Sequence, residues 1–126
     1  MSVPENLKYT KSHEWALISG NMAKVGISDF AQKELTDIVF VELPELDAET
    51  SAGAECAVIE SVKTAVDVYS PLSGKVVKVN EALQDSPETI NSDPYGEGWI
   101  FEVEMTASDE VSNLMDAAAY KQEIGE

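Results

Sequence analysis

The sequence contains no arginine, one histidine and one cysteine in 126 residues. Arginine binds phosphate through two parallel hydrogen bonds, so its absence argues against a site built for phosphate recognition. Aspartate and glutamate number 24 against 8 lysines, which gives a formal net charge of −16. Nucleic acids and anionic membranes would repel such a chain, and we expect partners that present basic patches. Acidity that serves only solubility is the alternative explanation.

The shortage of cysteine and histidine excludes several kinds of site. Cys56 is alone and cannot form an internal disulfide, and its place in a strand favours a packing role. His13 cannot form a two-histidine metal site, and neither a calcium-loop spacing nor a Gly-x-Ser-x-Gly element is present. We therefore predict no metal site, no catalytic residues and a protein that is not an enzyme.

Long apolar runs are absent as well. No stretch approaches the length that crosses a bilayer, and Met1–Asn6 lacks the features of a signal or transit peptide. We expect a cytoplasmic monomer without a membrane partner, and a processed mitochondrial-matrix form is the alternative. The length fits one domain over residues 1–126 and is short for two.

Two short runs rich in β-branched residues, Glu55–Glu60 and Ala65–Ser70, flank the segment Glu60–Thr64. Both lack glycine and proline and are predicted to form a hairpin connected by Val62-Lys63. The connection has no Asn-Gly or Asp-Gly pair, so the turn type stays open. Alternation predicts one apolar face formed by Ala57, Ile59, Val66 and Val68. The predicted cross-strand pairs are Glu60 with Ala65, Ile59 with Val66, Val58 with Asp67, Ala57 with Val68, and Cys56 with Tyr69.

Lys63 lies at the tip of this hairpin and is predicted to project into solvent. A solvated charge is the usual role of such a lysine. A stiff turn with a carboxylate three residues earlier, however, also suits a handle for a modifying enzyme. A lysine amine has a reference pKa of about 10.4 and is a poor nucleophile at neutral pH, so its acylation needs an activated donor from outside.

Turn residues separate several further short strands. Ser28 and Asp29 are typical of a helix start, and the helix is predicted to end at Leu35. Behind a Ser108 cap, apolar spacing predicts a C-terminal amphipathic helix of about three turns. Its apolar positions are Val111, Leu114, Met115 and Ala118. The predicted strands are Glu14–Ser19, Met22–Ile27, Ile38–Glu42, Lys75–Val79 and Trp99–Met105, with a loop at Glu45–Ala54. The pattern favours a small, mainly β barrel or sandwich.

Glu60–Thr64, followed by Ser70–Val76, resembles the lipoyl-attachment region of the glycine cleavage system H-protein family. Thr36 and Asp47 stand at turn positions where that family commonly has glycine. Further blocks that resemble the family in order are Tyr9–Trp15, Val25–Ile27, Asp37–Val39 with Leu43-Pro44, and Asn91–Trp99. The resemblance implies the mainly β barrel-sandwich hybrid of lipoyl and biotinyl carriers, with short helices and a C-terminal helix.

The resemblance also implies a carrier function. Lys63 would hold lipoate through an amide, and the lipoylating enzyme would recognise Glu60, Ser61, Val62 and Thr64. The dithiolane would accept the aminomethyl group from glycine decarboxylase, a pyridoxal-phosphate enzyme, and deliver it to a folate-dependent aminomethyltransferase. Dihydrolipoamide dehydrogenase would then reoxidise the arm. A tether makes these successive encounters effectively intramolecular.

The loaded arm would carry a protonated amine that needs shelter from water. We hypothesise that Glu14, flanked by His13 and Trp15, holds this amine in a groove. The alternative is that the three residues simply begin the first strand, with Trp15 in the core.

Three other functions compete with the carrier of the glycine cleavage system. A lipoate-relay carrier that supplies other enzymes is the main alternative. A biotinyl carrier normally has methionines beside its lysine, where Val62 and Thr64 stand here. An enzyme with a Lys63 Schiff base would need a phosphate-binding motif, which the sequence lacks.

Overall fold

The computed structural model describes residues 2–126 and contains two antiparallel sheets joined by short helices. The strands are β1 (Lys8–Tyr9), β2 (Glu14–Ser19), β3 (Met22–Ile27), β4 (Ile38–Glu42), β5 (Glu49–Thr50), β6 (Glu55–Ser61), β7 (Ala65–Tyr69), β8 (Gly74–Val79) and β9 (Phe101–Met105). The helices are α1 (Asp29–Leu35), α2 (Ala82–Asp85), α3 (Thr89–Ser92), a 3-10 helix (Ser108–Asn113) and α4 (Ala117–Glu123). The larger sheet has the order β1-β2-β3-β9-β8-β5, and the smaller has the order β4-β6-β7. The mainly β prediction is confirmed.

The larger sheet follows the period of two that its sequence predicts. In β9, Phe101, Val103 and Met105 are buried, whereas the intervening glutamates are not. The hairpin of β2 and β3 has the predicted bounds, and Gly20 takes a left-handed φ of 63° in its turn. Glycine allows this φ without a steric penalty, so the turn is inexpensive.

Helix α1 begins and ends where the sequence predicts. The Ser28 hydroxyl accepts a hydrogen bond from Ala31 N at 3.2 Å, which caps the first turn. The helix ends at Leu35, and the next residue, Thr36, has φ 62° and ψ −146°. Only glycine adopts this region readily, so a β-branched threonine is strained here.

The main core lies between the sheets. Val25, Phe101 and Val103 of the larger sheet pack in one cluster with Ile59 and Val68 of the smaller sheet. A second cluster contains the aromatic residues Tyr9, Trp15 and Tyr120 and the partly buried Tyr95, together with residues of the N-terminal segment and α4. We call these four residues the aromatic cluster.

The hairpin of β6 and β7 has the predicted register near its turn and departs from it farther away. Four pairs, from Glu60 with Ala65 to Ala57 with Val68, are confirmed. The prediction that Cys56 pairs with Tyr69 is wrong, because a bulge inserts Cys56 and Glu55 becomes the partner of Tyr69. Cys56 is half-buried and packs against the core, and burial raises the pKa of its thiol. The thiolate is therefore disfavoured.

The predicted three-turn C-terminal helix is wrong in its bounds. A 3-10 helix occupies Ser108–Asn113, and α4 begins only at Ala117. The interruption has a tertiary cause, because Met115 exchanges two backbone hydrogen bonds with Tyr9, at 2.8 and 2.9 Å. Asp116 then caps α4 by accepting from Ala119 N at 2.9 Å.

Two further predicted elements differ from the structure in extent or content. The predicted loop at Glu45–Ala54 contains β5, which pairs with the start of β8. The predicted strand Trp99–Met105 begins at Phe101. Within residues 2–126, none of the helices has the length and apolar character needed to span a membrane.

Candidate functional site

The side chain of Ser61 organises the hairpin tip. Its hydroxyl oxygen accepts hydrogen bonds from the backbone N–H groups of Lys63 and Thr64, each at 3.2 Å, and Ser61 N donates to Thr64 O at 2.7 Å. The hydroxyl thereby replaces the Asn-Gly chemistry that the sequence lacks. Val62 N also donates to Asp37 O at 2.9 Å, which ties the tip to the segment before β4.

Lys63 is exposed at this tip, as the sequence predicts. Among residues 2–126, its ammonium has no ion-pair partner. Glu60, Val62 and Thr64 are also exposed, and Ser61 is half-buried. The fold therefore presents a free amine on a turn fixed by backbone and side-chain hydrogen bonds.

A groove of about 670 Å³ opens between α1, the start of β2 and strand β7. Val66 and Asp67 line it, and Val66 lies three residues beyond Lys63, or about 10 Å along an extended strand. Val66 belongs to the predicted apolar face but is 36% exposed, because it faces this groove. The apolar lining consists of Ile27, Phe30, Ala31, Leu35, Val66 and Val68. The polar lining consists of Ser12, His13, Glu14, Glu34, Asp67 and Tyr69.

Glu14 is the buried carboxylate of the groove, with 1% of its surface exposed. One carboxylate oxygen accepts hydrogen bonds from the hydroxyls of Thr10 and Ser12, at 2.5 and 2.6 Å. The other accepts from Tyr69 N at 3.1 Å, which joins β2 to the end of β7. An ionised carboxylate has about four acceptor positions, so these three bonds leave one for a ligand.

His13 forms the adjoining part of the wall. Its φ of 76° is left-handed, and its Nδ1 lies 2.9 Å from the Tyr120 hydroxyl. That hydroxyl also lies 2.6 Å from the Ser28 oxygen that caps α1. One hydroxyl of the C-terminal helix therefore holds both the His13 segment and the start of α1, which are two sides of the groove.

Trp15 does not line the groove. It is 1% exposed and lies in the aromatic cluster, where its indole N–H donates to Pro94 O at 2.9 Å. The structure thus brings His13 and Glu14 together and directs Trp15 elsewhere, because neighbouring residues of a strand point to opposite faces.

The groove is electronegative. Glu14, Glu34 and Asp67 line it, and no lysine is among the lining residues of the described chain. Burial lowers the pKa of His13 below its usual 6.5, although nearby Glu14, Glu123 and Glu34 oppose the shift. The imidazole is therefore neutral at pH 7, and an apolar groove lined with carboxylates suits a cation on an aliphatic chain.

Sequence reasoning missed several residues that line the groove or hold its walls in place. Thr10 and Ser12 could have been suspected, because they precede Glu14 closely and hydroxyls commonly bind carboxylates. Glu34, Asp67 and Tyr120 carry no such local signal, since tertiary packing alone brings them to this place. Among residues 2–126, no cluster of side chains has the composition of a metal site.

A small two-sheet β fold that holds one lysine outside itself at a hairpin tip defines the class of barrel-sandwich carrier domains. A family model described as "Glycine cleavage H-protein" matches residues 7–126. The chain belongs to the glycine cleavage H-protein family.

Individual relatives agree with this assignment. The glycine cleavage system H protein of Stenotrophomonas maltophilia (strain K279a) is 58% identical over 123 residues, which cover 97% of this chain and 94% of the relative. The protein of the same name from Endomicrobium trichonymphae is 52% identical over 124 residues, or 98% of this chain and all of the relative. The crystal structure of a glycine cleavage system H protein from Mycobacterium marinum matches with a TM-score of 0.91 and 41% identity, over 98% of this chain and 100% of that one.

Proposed function

We propose that the chain, acting as one domain over residues 1–126, is the lipoyl-bearing shuttle of a glycine cleavage system, with lipoate joined to Lys63 by an amide. The observation that carries the proposal is an exposed lysine amine at a fixed turn, without an ion-pair partner among residues 2–126, in a chain of this family. The protein is a carrier component and not a catalyst. A cytoplasmic location is part of the same proposal, and the bacterial origin of the relatives supports it.

The residues around Lys63 fit a tethered group. The amine is free, and the groove begins on the strand that follows it. When bound, lipoate would supply a disulfide that can carry the aminomethyl group on one sulfur, and it would stay joined to Lys63 as a dithiol after that group has left. The chain's own part is to present the amine, to let the arm swing, and to shelter its end from water.

The groove is proposed to shelter the cationic end of the loaded arm. The remaining acceptor position of Glu14 would bind the ammonium, while Phe30, Leu35 and Val66 would cover the aliphatic part of the arm. A charge-assisted hydrogen bond in a partly dry groove is stronger than one in water. His13 is neutral and adds no repulsion, whereas Trp15 has no place in this proposal.

The partners are proposed to be four enzymes that act on this arm. They are the lipoylating enzyme, glycine decarboxylase, the folate-dependent aminomethyltransferase and dihydrolipoamide dehydrogenase. The lipoylating enzyme would recognise Glu60, Ser61, Val62 and Thr64 together with the lysine. The net charge of −16 would speed encounters with basic partner surfaces.

The decisive experiment is the intact mass of the native protein, with peptide mapping around Lys63. We expect one lipoyl group on Lys63 and none on Lys63→Arg, which should also fail to support glycine turnover with the purified enzymes. Lys78→Arg, which changes an exposed lysine of β8, is the matched control and should behave as wild type. A bare Lys63 in native material, or turnover by Lys63→Arg, would contradict the proposal.

The groove requires a separate test. Glu14→Gln keeps the size of the side chain and removes its charge, so we expect the loaded arm to hydrolyse roughly tenfold faster or more, as for a lost charge-assisted hydrogen bond. Lipoylation of Lys63 should be unchanged. Glu97→Gln, at an exposed position outside the groove, is the control. An unchanged lifetime of the loaded arm would remove Glu14 from this role.

A lipoate-relay carrier is the second candidate, because it would need the same free lysine. Glycine, added with the purified enzymes, separates the two functions. Glycine-dependent release of carbon dioxide supports the first, and transfer of the lipoyl group from Lys63 to another acceptor protein supports the second.

A further inference from the structure

Strand β4 exposes two consecutive large apolar side chains. Val39 is 54% exposed and Phe40 is 46% exposed, whereas Ile38 and Val41 on either side are buried. A regular strand would bury one of the two middle residues. The register shift between Ile38 and Phe40 explains the exception, because the bulge turns both middle side chains outward.

This apolar pair lies beside the lysine. Phe40 pairs with Glu60 and Ile38 pairs with Ser61 across the ladder of β4 and β6. Val62, which is 65% exposed, donates its N–H to Asp37 O at 2.9 Å. Strand β4 is also at the edge of its sheet, with no strand of the described chain on its outer side.

Carboxylates surround the apolar residues. Asp37, Glu42 and Glu60 are exposed, and Lys63 is the one basic residue between positions 37 and 69. We call Asp37, Val39, Phe40, Glu42, Glu60 and Val62 the tip face. Exposed apolar side chains on an edge strand invite unwanted pairing, so proteins normally avoid them unless a partner covers them.

We propose that the tip face is the docking surface for the enzyme that acylates Lys63, and that this enzyme presents an apolar pocket rimmed by lysine or arginine. The inference rests on the proposed function, since it requires Lys63 to be acylated. The charge of the tip face selects a basic partner, and its apolar centre supplies the affinity.

The reach of the side chain favours this enzyme over the others. Before acylation, the amine extends from the turn only on the four-carbon stem of lysine. The modifying enzyme must therefore approach closely enough to cover the strand next to the turn. The later enzymes meet the same site through a longer arm and can act from farther away.

The chemistry requires this close approach. The Lys63 amine, after loss of a proton to the enzyme, attacks the carbonyl carbon of an acyl adenylate or thioester. The C–N bond of the amide forms as the bond to the nucleotide phosphate or the thiolate breaks, and the leaving group keeps the electron pair.

Steady-state acylation of the full chain tests the proposal. A lipoate ligase with lipoate and ATP would be assayed by intact mass over a range of carrier concentrations. We expect Phe40→Ser to raise KM about tenfold, which corresponds to about 1.4 kcal/mol of binding, with little change in kcat. Val39→Ser should raise KM less, and a Glu42→Gln variant should weaken the dependence of KM on salt.

Leu46→Ser is the matched control, because Leu46 is 55% exposed but lies in the loop before β5, outside the tip face. Its KM should equal that of wild type. A Phe40→Ser variant with wild-type KM would overturn the proposal, and so would an effect confined to the glycine decarboxylase step. If wild type itself gains no acyl group at Lys63, the proposed function fails, and this inference fails with it.

Discussion

The two sheets share the main core but differ in how much apolar surface they leave exposed. The larger sheet buries its apolar residues on both faces, in the main core and in the aromatic cluster. The smaller sheet leaves Val39, Phe40 and Val66 partly in solvent, and the tip that joins two of its strands exposes Val62. We infer that stability is concentrated in the larger sheet, whereas the smaller sheet retains apolar surface for the arm and its enzymes.

The largest effect that tests this contrast is expected at Trp15. Trp15→Ala removes a fully buried indole and should lower the free energy of unfolding by about 3–5 kcal/mol. Phe40→Ala, on the smaller sheet, should change it by less than about 0.5 kcal/mol. Urea unfolding followed by circular dichroism measures both. If Trp15→Ala fails to fold, Trp15→Phe, which keeps a ring but loses the bond to Pro94, should still show an intermediate loss. Similar losses for Trp15→Ala and Phe40→Ala would refute the contrast.

The next largest loss of stability is expected on removal of the Tyr120 hydroxyl, because this hydroxyl links the aromatic cluster to the groove. Tyr120→Phe removes a shared partner of His13 and the buried Ser28, so we expect a loss of about 1–3 kcal/mol in unfolding free energy. Tyr9→Phe is the control and should cost less, since its hydroxyl has a single partner and donates only to Pro4 O, at 2.6 Å. Equal losses for the two variants would show that the shared hydroxyl has no special role.

A gain in stability is expected at the end of α1. Thr36→Gly should raise the unfolding free energy by about 1 kcal/mol, because glycine accepts this backbone conformation without strain. Asp47→Gly is the comparison, at φ 69°. Aspartate tolerates left-handed backbone better than threonine does, so its gain should be smaller. A loss of stability in Thr36→Gly would mean that the threonine is not strained.

The smallest effect concerns pH. The pKa of His13 is lowered in the folded state, so the unfolded chain binds the proton more readily. His13 therefore contributes stability above its unfolded pKa of about 6.5, and this contribution falls as the pH drops through and below that value. His13→Asn, which tolerates the left-handed φ, should flatten the fall in unfolding free energy between roughly pH 7 and roughly pH 5.5. Parallel curves for the two proteins would contradict this assignment.

The sequence predicted the parts of the fold that depend on local alternation. The hairpin of β2 and β3, helix α1 and the four pairs nearest Lys63 all follow from residue spacing and turn chemistry. The two bulges in the smaller sheet could not be predicted in this way. Each shifts the alternation by one residue within a run that is apolar throughout, residues 38–41 or residues 56–59, so the sequence shows no change of pattern at the bulge.

The bounds of the C-terminal helix and the groove could not be predicted from the sequence for a related reason. The spacing of Val111, Leu114 and Met115 is helical, but Met115 pairs with Tyr9, a contact more than one hundred residues away in sequence. Tyr120 reaches His13 over a similar separation. The site at Lys63 could be predicted because the residues that indicate it are neighbours in the sequence. The groove could not, because it is formed by three segments that are distant in the sequence.

The hydrogen bond between Glu14 and the N–H of Tyr69 has a consequence for self-association. Strand β7 is one of the two edges of the smaller sheet, and a second molecule that extends the sheet on this side would have to pair with its backbone. The buried carboxylate of Glu14 already accepts from the N–H at the end of β7, so a strand that pairs there would have to break this buried hydrogen bond. We therefore expect this contact to disfavour strand pairing between molecules at the end of β7.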